Sequence, residues 1–344
     1  IRPMHLAELG MVAWRFPADP ALPWLAESVN LKQAAALIPK HHCNGEQLTE
    51  IDIINYRPEI RCTVRYGFRS ANTLSQSSVY GKNYADHHGR MIYNNLLAVS
   101  ALSQHDEAFV IPTALGYDAD RHILWLEGLD AVSLKAVLFG ANPQPFISRL
   151  CRALSAFQQI SLPQLTLISA AQNLRDWQKK ARKLAHSYVE LGDALQSLLR
   201  NLENNYAESA AQGLIHGDFH IEQLALLASG RIALFDFDEL ALGDPLQDLA
   251  NFAADLYKHQ LPTEHIDRLI DKLFNAYRLA SIAKVTPDRF YWQLRGQLLT
   301  RAYRAHIQQC PDTSRQVARF IALANRPSPQ HSELSLWNTA HEPV

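Results

Sequence analysis

The reading of this chain turns on Leu214–Phe252, LIHGDFHIEQLALLASGRIALFDFDELALGDPLQDLANF. His216, Asp218, His220 and Gln223 fall on one short segment, and Asp236 and Asp238 follow it. Apolar runs, LALL and RIALF, lie between the two groups, so the polar residues are embedded in what reads as a buried hairpin. Turns and helix caps account for many Asp and His residues. Carboxylates, imidazoles and an amide gathered on one hairpin also fit a metal or phosphoryl-transfer site.

Composition bounds the answer. The 344 residues give room for two domains or one large one with a sizeable core. With 47% hydrophobic residues, 19% charged residues and a formal net charge of −1, the chain has an ordinary globular composition. No basic excess points to nucleic acid and no acidic tract to disorder. Cys43, Cys62, Cys151 and Cys310 show no C-x-x-C spacing. They fit free thiols in a reducing compartment, which makes a cytoplasmic location the expectation. No apolar run reaches the ~18–20 residues that a membrane span needs, so no membrane partner is expected.

Working outward, the chain changes character along its length. Residues 1–45 are mixed, with the proline-punctuated stretch FPADPALPWL leading into helix, and are expected to pack on the lobe that follows. Ile51–Tyr56 and Arg61–Phe68 alternate in polarity around Arg57-Pro58-Glu59 and predict a β-hairpin. SSVYGKNYAD predicts a third strand ending near Lys82. GRMIYNNLLAVSAL carries Met91, Ile92, Leu96, Val99 and Leu102 at helical spacing. FVIPTALGYDADRHILWLEGL supplies two more strands around Asp118-Ala119-Asp120. Residues 46–127 therefore read as a small antiparallel sheet with one helix. Residues 128–326 are mainly helical, with a helix or helix pair between Leu174 and Leu202 that breaks at Gly192. Residues 327–344 read as a proline-broken, loosely held tail. The fold class is α+β and two-lobed, and no internal repeat is apparent.

Phosphoryl transfer needs hard oxygen ligands for a divalent cation, a base that orients the acceptor hydroxyl, and a lysine that grips the phosphates. Lys82, Asp218, Gln223 and Asp236 supply that set, in the order lysine, base, amide ligand, carboxylate ligand. HGDFHIEQL followed by LFDFDELALGDPLQDLA resembles the signature of the aminoglycoside phosphotransferase and choline kinase-like superfamily. Those proteins are small-molecule kinases with a protein-kinase-like fold, and their usual pattern is H-G-D-x-H-x-x-N followed by I-D-[FW]-x-x-A-x-x-G-D-P-x-x-D-L-A. The match is carried by His216, Gly217, Asp218, His220, Asp236, Gly243, Asp244, Pro245, Asp248 and Leu249. YRPEIRCTVRY and VYGKNY are similar to the hairpin and the lysine strand of one branch, and ILWLEGLDAVSL stands where a hinge would join the lobes.

The resemblance implies ATP or GTP as co-substrate and Mg²⁺ as cofactor. It casts Asp218 as base, with His216 and Asp248 bracing its loop. Asp236 and Gln223 become the metal ligands, and Lys82 the α/β-phosphate contact. Arg61, Glu127 and Leu129 are further nucleotide contacts, and His220 and Asp238 support their neighbours. Asp244-Pro245 reads as the architecture of a loop entering a helix.

Three departures stand beside this match. Gln223 replaces the family's Asn, the Arg57–Ile60 turn has no Gly and carries Glu59, and the helix after Lys82 has no Glu to pair with it, leaving Asp86 as the nearby acid. They keep open a degenerate kinase that binds nucleotide without turnover. A metallohydrolase built on His216, Asp218 and His220 is a third reading, although no H-E-x-x-H helix accompanies it. The acceptor is expected to be a small molecule with a hydroxyl group, neutral or anionic, such as a sugar. From residue 255 onward basic residues outnumber acidic ones, most of them read as solvated helix faces, and a polycationic acceptor would want the opposite.

Overall fold

The computed structural model describes residues 4–39, 46–70, 76–139, 143–206, 211–259, 261–283 and 285–327. Of the tail expected over 327–344 only Pro327 is described, and Cys43 lies outside the described residues. The chain divides into two compact units. The first comprises Ile1–Asp106, Val110–Val132 and Leu226–Asp238; the second comprises Glu107–Phe109, Ser133–Ala225 and Glu239–Val344.

In the first unit, β1 (Met4–Leu6) and β2 (Met11–Ala13) form a short hairpin, followed by α1 (Leu25–Ser28) and α2 (Leu31–Leu37). Asn30 caps α2 by accepting the backbone N–H groups of Lys32 and Gln33. Next come β3 (Gln47–Arg57), β4 (Arg61–Arg69), β5 (Gln76–Tyr84) and α3 (His88–Leu102). After β6 (Phe109–Val110), strands β7 (Ala114–Asp118) and β8 (Ile123–Glu127) complete an antiparallel sheet in the order β3-β4-β5-β8-β7. A second sheet lies mainly in this unit, in the order β6-β12-β11-β9, from β9 (Ala131–Ser133), β11 (Leu224–Leu227) and β12 (Ile232–Leu234).

The alternation of β4 buries Cys62, Val64, Tyr66 and Phe68 on one face. They meet Leu22, Leu25, Ala34 and Ile38 from the N-terminal segment, so α1 and α2 close one side of the sheet's core. Two buried hydrogen bonds fix that packing. The Tyr66 hydroxyl donates to the Ser28 carbonyl at 3.0 Å, and Ser28 Oγ donates to Asn83 Oδ1 at 2.8 Å.

The second unit contains α4 (Leu134–Leu138), α5 (Gln144–Gln158), α6 (Ala170–Ser187), α7 (Gly192–Asn204), α8 (Leu246–Leu256), α9 (Thr263–Ala280), α10 (Pro287–Gln308) and α11 (Thr313–Ala324). Strands β10 (Gly213–Ile215) and β13 (Ala241–Gly243) pair antiparallel within it. Every residue of α8 is buried, and α10 packs against α6, α8 and α11. A Ser169–Gln172 capping box starts α6, and Thr286 with Pro287 starts α10. The break expected at Gly192 lies just before it. α6 ends at Ser187, a single turn spans Val189–Leu191, and Gly192 is the first residue of α7 with a helical φ of −53°. Exposed Val189 and Glu190 in that turn offer no apolar face to hold one continuous helix together.

Candidate active site

The first unit gathers four of the expected residues. Lys82 sits on β5 between Thr63 of β4 and Leu124 of β8, and it is buried. Its Nζ lies 2.5 Å from Asp236 Oδ1 and 2.7 Å from Asp238 Oδ1. Arg61 of β4 pairs with Asp238, and its Nη2 stands 3.7 Å from Asp236 Oδ2. The Tyr84 hydroxyl also donates to Asp238, at 3.2 Å to Oδ1. Two cations thus face two carboxylates, which is what makes so much buried charge tolerable. Burial pulls the pKa of Lys82 below its ordinary value; Asp236 opposes the fall and Arg61 adds to it.

Asp236 holds a φ of +62°, in the left-handed region that Asp tolerates better than most residues and that is often occupied at functional sites. Asp86 is not the partner of Lys82. It accepts the His88 backbone N–H at 2.9 Å and so closes the start of α3. The counter-charge expected from a helix comes instead from Asp236 and Asp238.

At the tip of the β3–β4 hairpin, the Ile60 N–H closes the turn onto the Arg57 carbonyl at 3.1 Å. Glu59 takes a positive φ of 62°, the conformation for which a Gly would have been expected. Buried Asp19 holds it there, accepting from the Glu59 backbone N–H at 2.8 Å and from the Tyr56 hydroxyl at 2.9 Å. Glu127 lies three positions along β8 from the register partner of Lys82, opposite Val79, and its carboxylate accepts the Thr113 hydroxyl. Leu129 follows in the connecting loop, half-buried. The structure does not bring these two onto the Lys82 cluster.

The second unit builds the loop His216–His220. Gly217 has a φ of +81°, and a Cβ there would lie 2.3 Å from the Glu239 carbonyl oxygen, so the sharp turn before Asp218 requires glycine. Asp248 of α8 holds the turn by its backbone, accepting from the His216 N–H at 2.8 Å and from the Gly217 N–H at 3.0 Å. Burial raises the Asp248 carboxyl to about 7, against the pull of those hydrogen bonds. His216 is buried against the rings of Phe157 and Phe219.

Asn251, also from α8, donates to the Phe219 carbonyl at 3.2 Å and accepts from Arg301 Nη2 at 2.8 Å. Asp218 Oδ1 accepts from Arg304 Nη2 at 3.0 Å, and Oδ2 lies 3.5 Å from His220 Nε2. Burial alone would raise the Asp218 pKa. His220 and the Arg304 guanidinium outweigh it and hold the carboxyl well below the usual carboxylate range. Gln223 closes a single helical turn, its backbone N–H on the His220 carbonyl at 3.0 Å. Among the described residues no group of three or more His, Cys, Asp or Glu side chains is placed to hold a metal ion. His216, Asp218 and His220 therefore do not make the cage a metallohydrolase would need.

Arg301 and Arg304 of α10 stand apart from the solvated helix faces expected of most basic residues past 255. Arg301 is only 4% exposed and braces the loop through Asn251, while Arg304 sits on Asp218. Tyr84, Asn251 and Gln158 also escaped the sequence reading. Gln158 donates to the Pro245 carbonyl at 2.8 Å and accepts the Tyr277 hydroxyl at 2.6 Å. The one signal for the arginines was their spacing, three apart on a helix and therefore on a shared face.

A sheet unit with a buried lysine on two aspartates and a mainly helical unit with an aspartate on a glycine-turned loop make a protein-kinase-like fold. The chain belongs to the phosphotransferase enzyme family, which it matches over residues 98–289, more than half its length. Among solved structures it is similar to a spectinomycin phosphotransferase in complex with ADP and spectinomycin. The TM-score is 0.59 at 13% identity, covering 90% of this chain and 98% of that one. A macrolide 2'-phosphotransferase type I gives a TM-score of 0.56 at 14% identity, covering 87% and 99%. A choline kinase from Streptococcus pneumoniae gives 0.56 at 12%, covering 85% and 98%. At these identities the likeness is one of fold. No curated protein matches the chain significantly. Among the described residues no helix is long and apolar enough to cross a membrane.

Proposed function

We propose that the protein transfers the γ-phosphoryl group of ATP or GTP to a hydroxyl of a small, sugar-like molecule. The observation that carries this reading is the Lys82–Asp236 pair at 2.5 Å. A phosphate-gripping lysine and a metal-binding carboxylate are the two groups a kinase must hold side by side. Lys82 and Arg61 take the phosphates, with Glu127 and Leu129 as further nucleotide contacts. Asp236 and Gln223 offer hard oxygens to Mg²⁺, which when bound neutralises charge on the phosphates. A donor set without a ready-made cage fits that ion, which usually rests on one or two carboxylates, phosphates and water.

Asp218 accepts the acceptor's hydroxyl proton on a carboxylate oxygen. The hydroxyl oxygen bonds to the γ-phosphorus while the bond from that phosphorus to the bridging oxygen of ADP breaks. His216, His220 and Asp248 fix the position of Asp218, and Asp238 fixes Lys82.

Substitution of the base tests this assignment. Asp218→Asn should cut kcat by ~10²–10⁴-fold and leave nucleotide affinity nearly unchanged, since general-base contributions lie in that range. Calorimetry with nucleotide, with and without Mg²⁺, reads the second half. No binding by the wild type at millimolar nucleotide would remove the reading altogether.

One observation favours a degenerate kinase that binds nucleotide and does not turn over. Asp19 already occupies the Glu59 N–H in the turn that would cover the phosphates. Slow ATP hydrolysis separates the two readings. An active kinase loses it in both Asp218→Asn and Asp236→Ala, and a degenerate one has none to lose.

A further inference from the structure

We propose that the acceptor carries an anionic group, carboxylate or phosphate, close to its reacting hydroxyl, and that Arg304 with Lys180 binds that group. This rests on the phosphotransfer reading above and names the class of its acceptor. Arg304 reaches from α10 to Asp218 with one Nη2 donor at 3.0 Å. Its side chain is 40% exposed, and its other N–H groups make no hydrogen bond among the described residues. A guanidinium offers five donors in a planar fork that matches carboxylate and phosphate oxygens.

Lys180 comes from α6, which packs on α10, and its Nζ lies 3.5 Å from Thr300 Oγ1, one turn before Arg304. Burial lowers the Lys180 pKa, the carboxylate of Asp176 opposes the fall and the charge of Arg304 adds to it, so the two cations stand within each other's field. Lys183 continues the same face, 3.2 Å from the Tyr303 hydroxyl. Between Arg175 and Lys183 the helix carries five basic residues against one acidic, Asp176.

Two of the nearby acids are matched, while exposed Glu222 lies within the field of Arg301. Asp255 is paired with Arg301 at 3.3 Å and Lys258 at 2.9 Å, and Asp176 with Lys179 at 3.5 Å. Positive charge concentrated beside a proposed base repels a cationic acceptor and attracts an anionic one. The anion has a second effect. By taking over the Arg304 fork it releases Asp218 Oδ1, and the freed oxygen can receive the neighbouring hydroxyl.

Binding to the whole protein, without nucleotide, tests the proposal by calorimetry. The probes are gluconate and glucose 6-phosphate as anions, glucose as the uncharged control, and kanamycin as the cation. One of the anions should bind about tenfold or more tighter than glucose, and Arg304→Gln should remove about that factor for the anion alone. Arg304→Lys, which keeps the charge and loses the planar fork, should keep only part of the affinity. Arg304 is partly exposed, so these variants should fold, and circular dichroism checks that they do. Preference for gluconate identifies a carboxylate subsite and preference for glucose 6-phosphate a phosphate subsite.

The proposal is overturned if neither anion binds, if glucose or kanamycin binds more tightly, or if Arg304→Gln leaves anion affinity unchanged. Failure of the anions with Mg²⁺-dependent ATP binding intact sinks the acceptor class alone. Arg304-dependent anion binding without ATP binding sinks the kinase reading alone.

Discussion

At the residue scale, a lysine ammonium taken out of water needs a counter-charge held close, and Lys82 has two of them in Asp236 and Asp238. Asp238 serves Arg61 and Tyr84 as well, so its loss would leave buried Lys82 and half-buried Arg61 on Asp236 alone. Asp238→Ala should therefore cost ~3–5 kcal/mol of stability in urea denaturation, the range for breaking a buried pair from one side. A cost below ~1 kcal/mol would mean that water screens the cluster as it does a surface pair. Gln223 raises the other question at this scale, since its oxygen lies one methylene further out than that of the family's Asn. If it serves Mg²⁺, Gln223→Asn should keep the metal dependence of nucleotide binding and Gln223→Ala should weaken it. A flat response to both changes, read by calorimetry across Mg²⁺ concentrations, would remove Gln223 from the metal site.

At the element scale, α8 is the part that shapes the Asp218 loop. It is buried along its whole length and supplies Asp248 to one side of the loop and Asn251 to the other. The Asp248 carboxyl sits at about 7 in the fold, above its ordinary value of 3.8, because burial disfavours its charge. A group raised on folding lends stability that is complete below its unfolded pKa and is lost as pH rises through the folded one. Wild-type stability should therefore fall from this source between about pH 4 and pH 7, by ~2–4 kcal/mol for a shift of this size. Asp248→Asn removes that slope. It also leaves one loop N–H without an acceptor, at ~1–3 kcal/mol. The stability gap between wild type and variant should close as pH rises, and parallel curves in urea melts across pH would refute the assignment. The elements themselves were legible where pattern and punctuation agreed. Alternation with a Pro-Glu turn marked β3 and β4, and Asp118-Ala119-Asp120 marked the bend between β7 and β8. The break read at Gly192 falls at the boundary where the Val189–Leu191 turn meets the first residue of α7. Arg301 and Arg304 were unreadable for a different reason. Charged residues three apart on a helix look alike whether they face water or a loop eighty residues away, and only tertiary packing decides between them.

At the scale of the whole molecule, the residues assigned to the proposed reaction divide by unit. Lys82, Arg61, Asp236 and Asp238 belong to the first; His216, Asp218, His220, Gln223, Asp248 and Arg304 belong to the second. The Leu214–Phe252 motif crosses that division, which is why it carried most of the functional reading although its residues serve different units. A ligand that binds only the folded state stabilises it by mass action, by ~2.7 kcal/mol when present at a hundred times its Kd. ATP with Mg²⁺ held through Lys82 and Asp236 should therefore raise the thermal midpoint of the unfolding step that includes the first unit. A chain of two compact units need not unfold in a single step, so the informative quantity is the ligand-dependent shift of each transition in calorimetry. The wild type should show the shift, chelation of Mg²⁺ should reduce it, and Asp236→Ala should abolish it. Asp218→Asn should retain it, because that residue is assigned to the proton and not to the nucleotide. An equal shift in wild type and Asp236→Ala would place the nucleotide elsewhere and withdraw the role given to the Lys82–Asp236 pair.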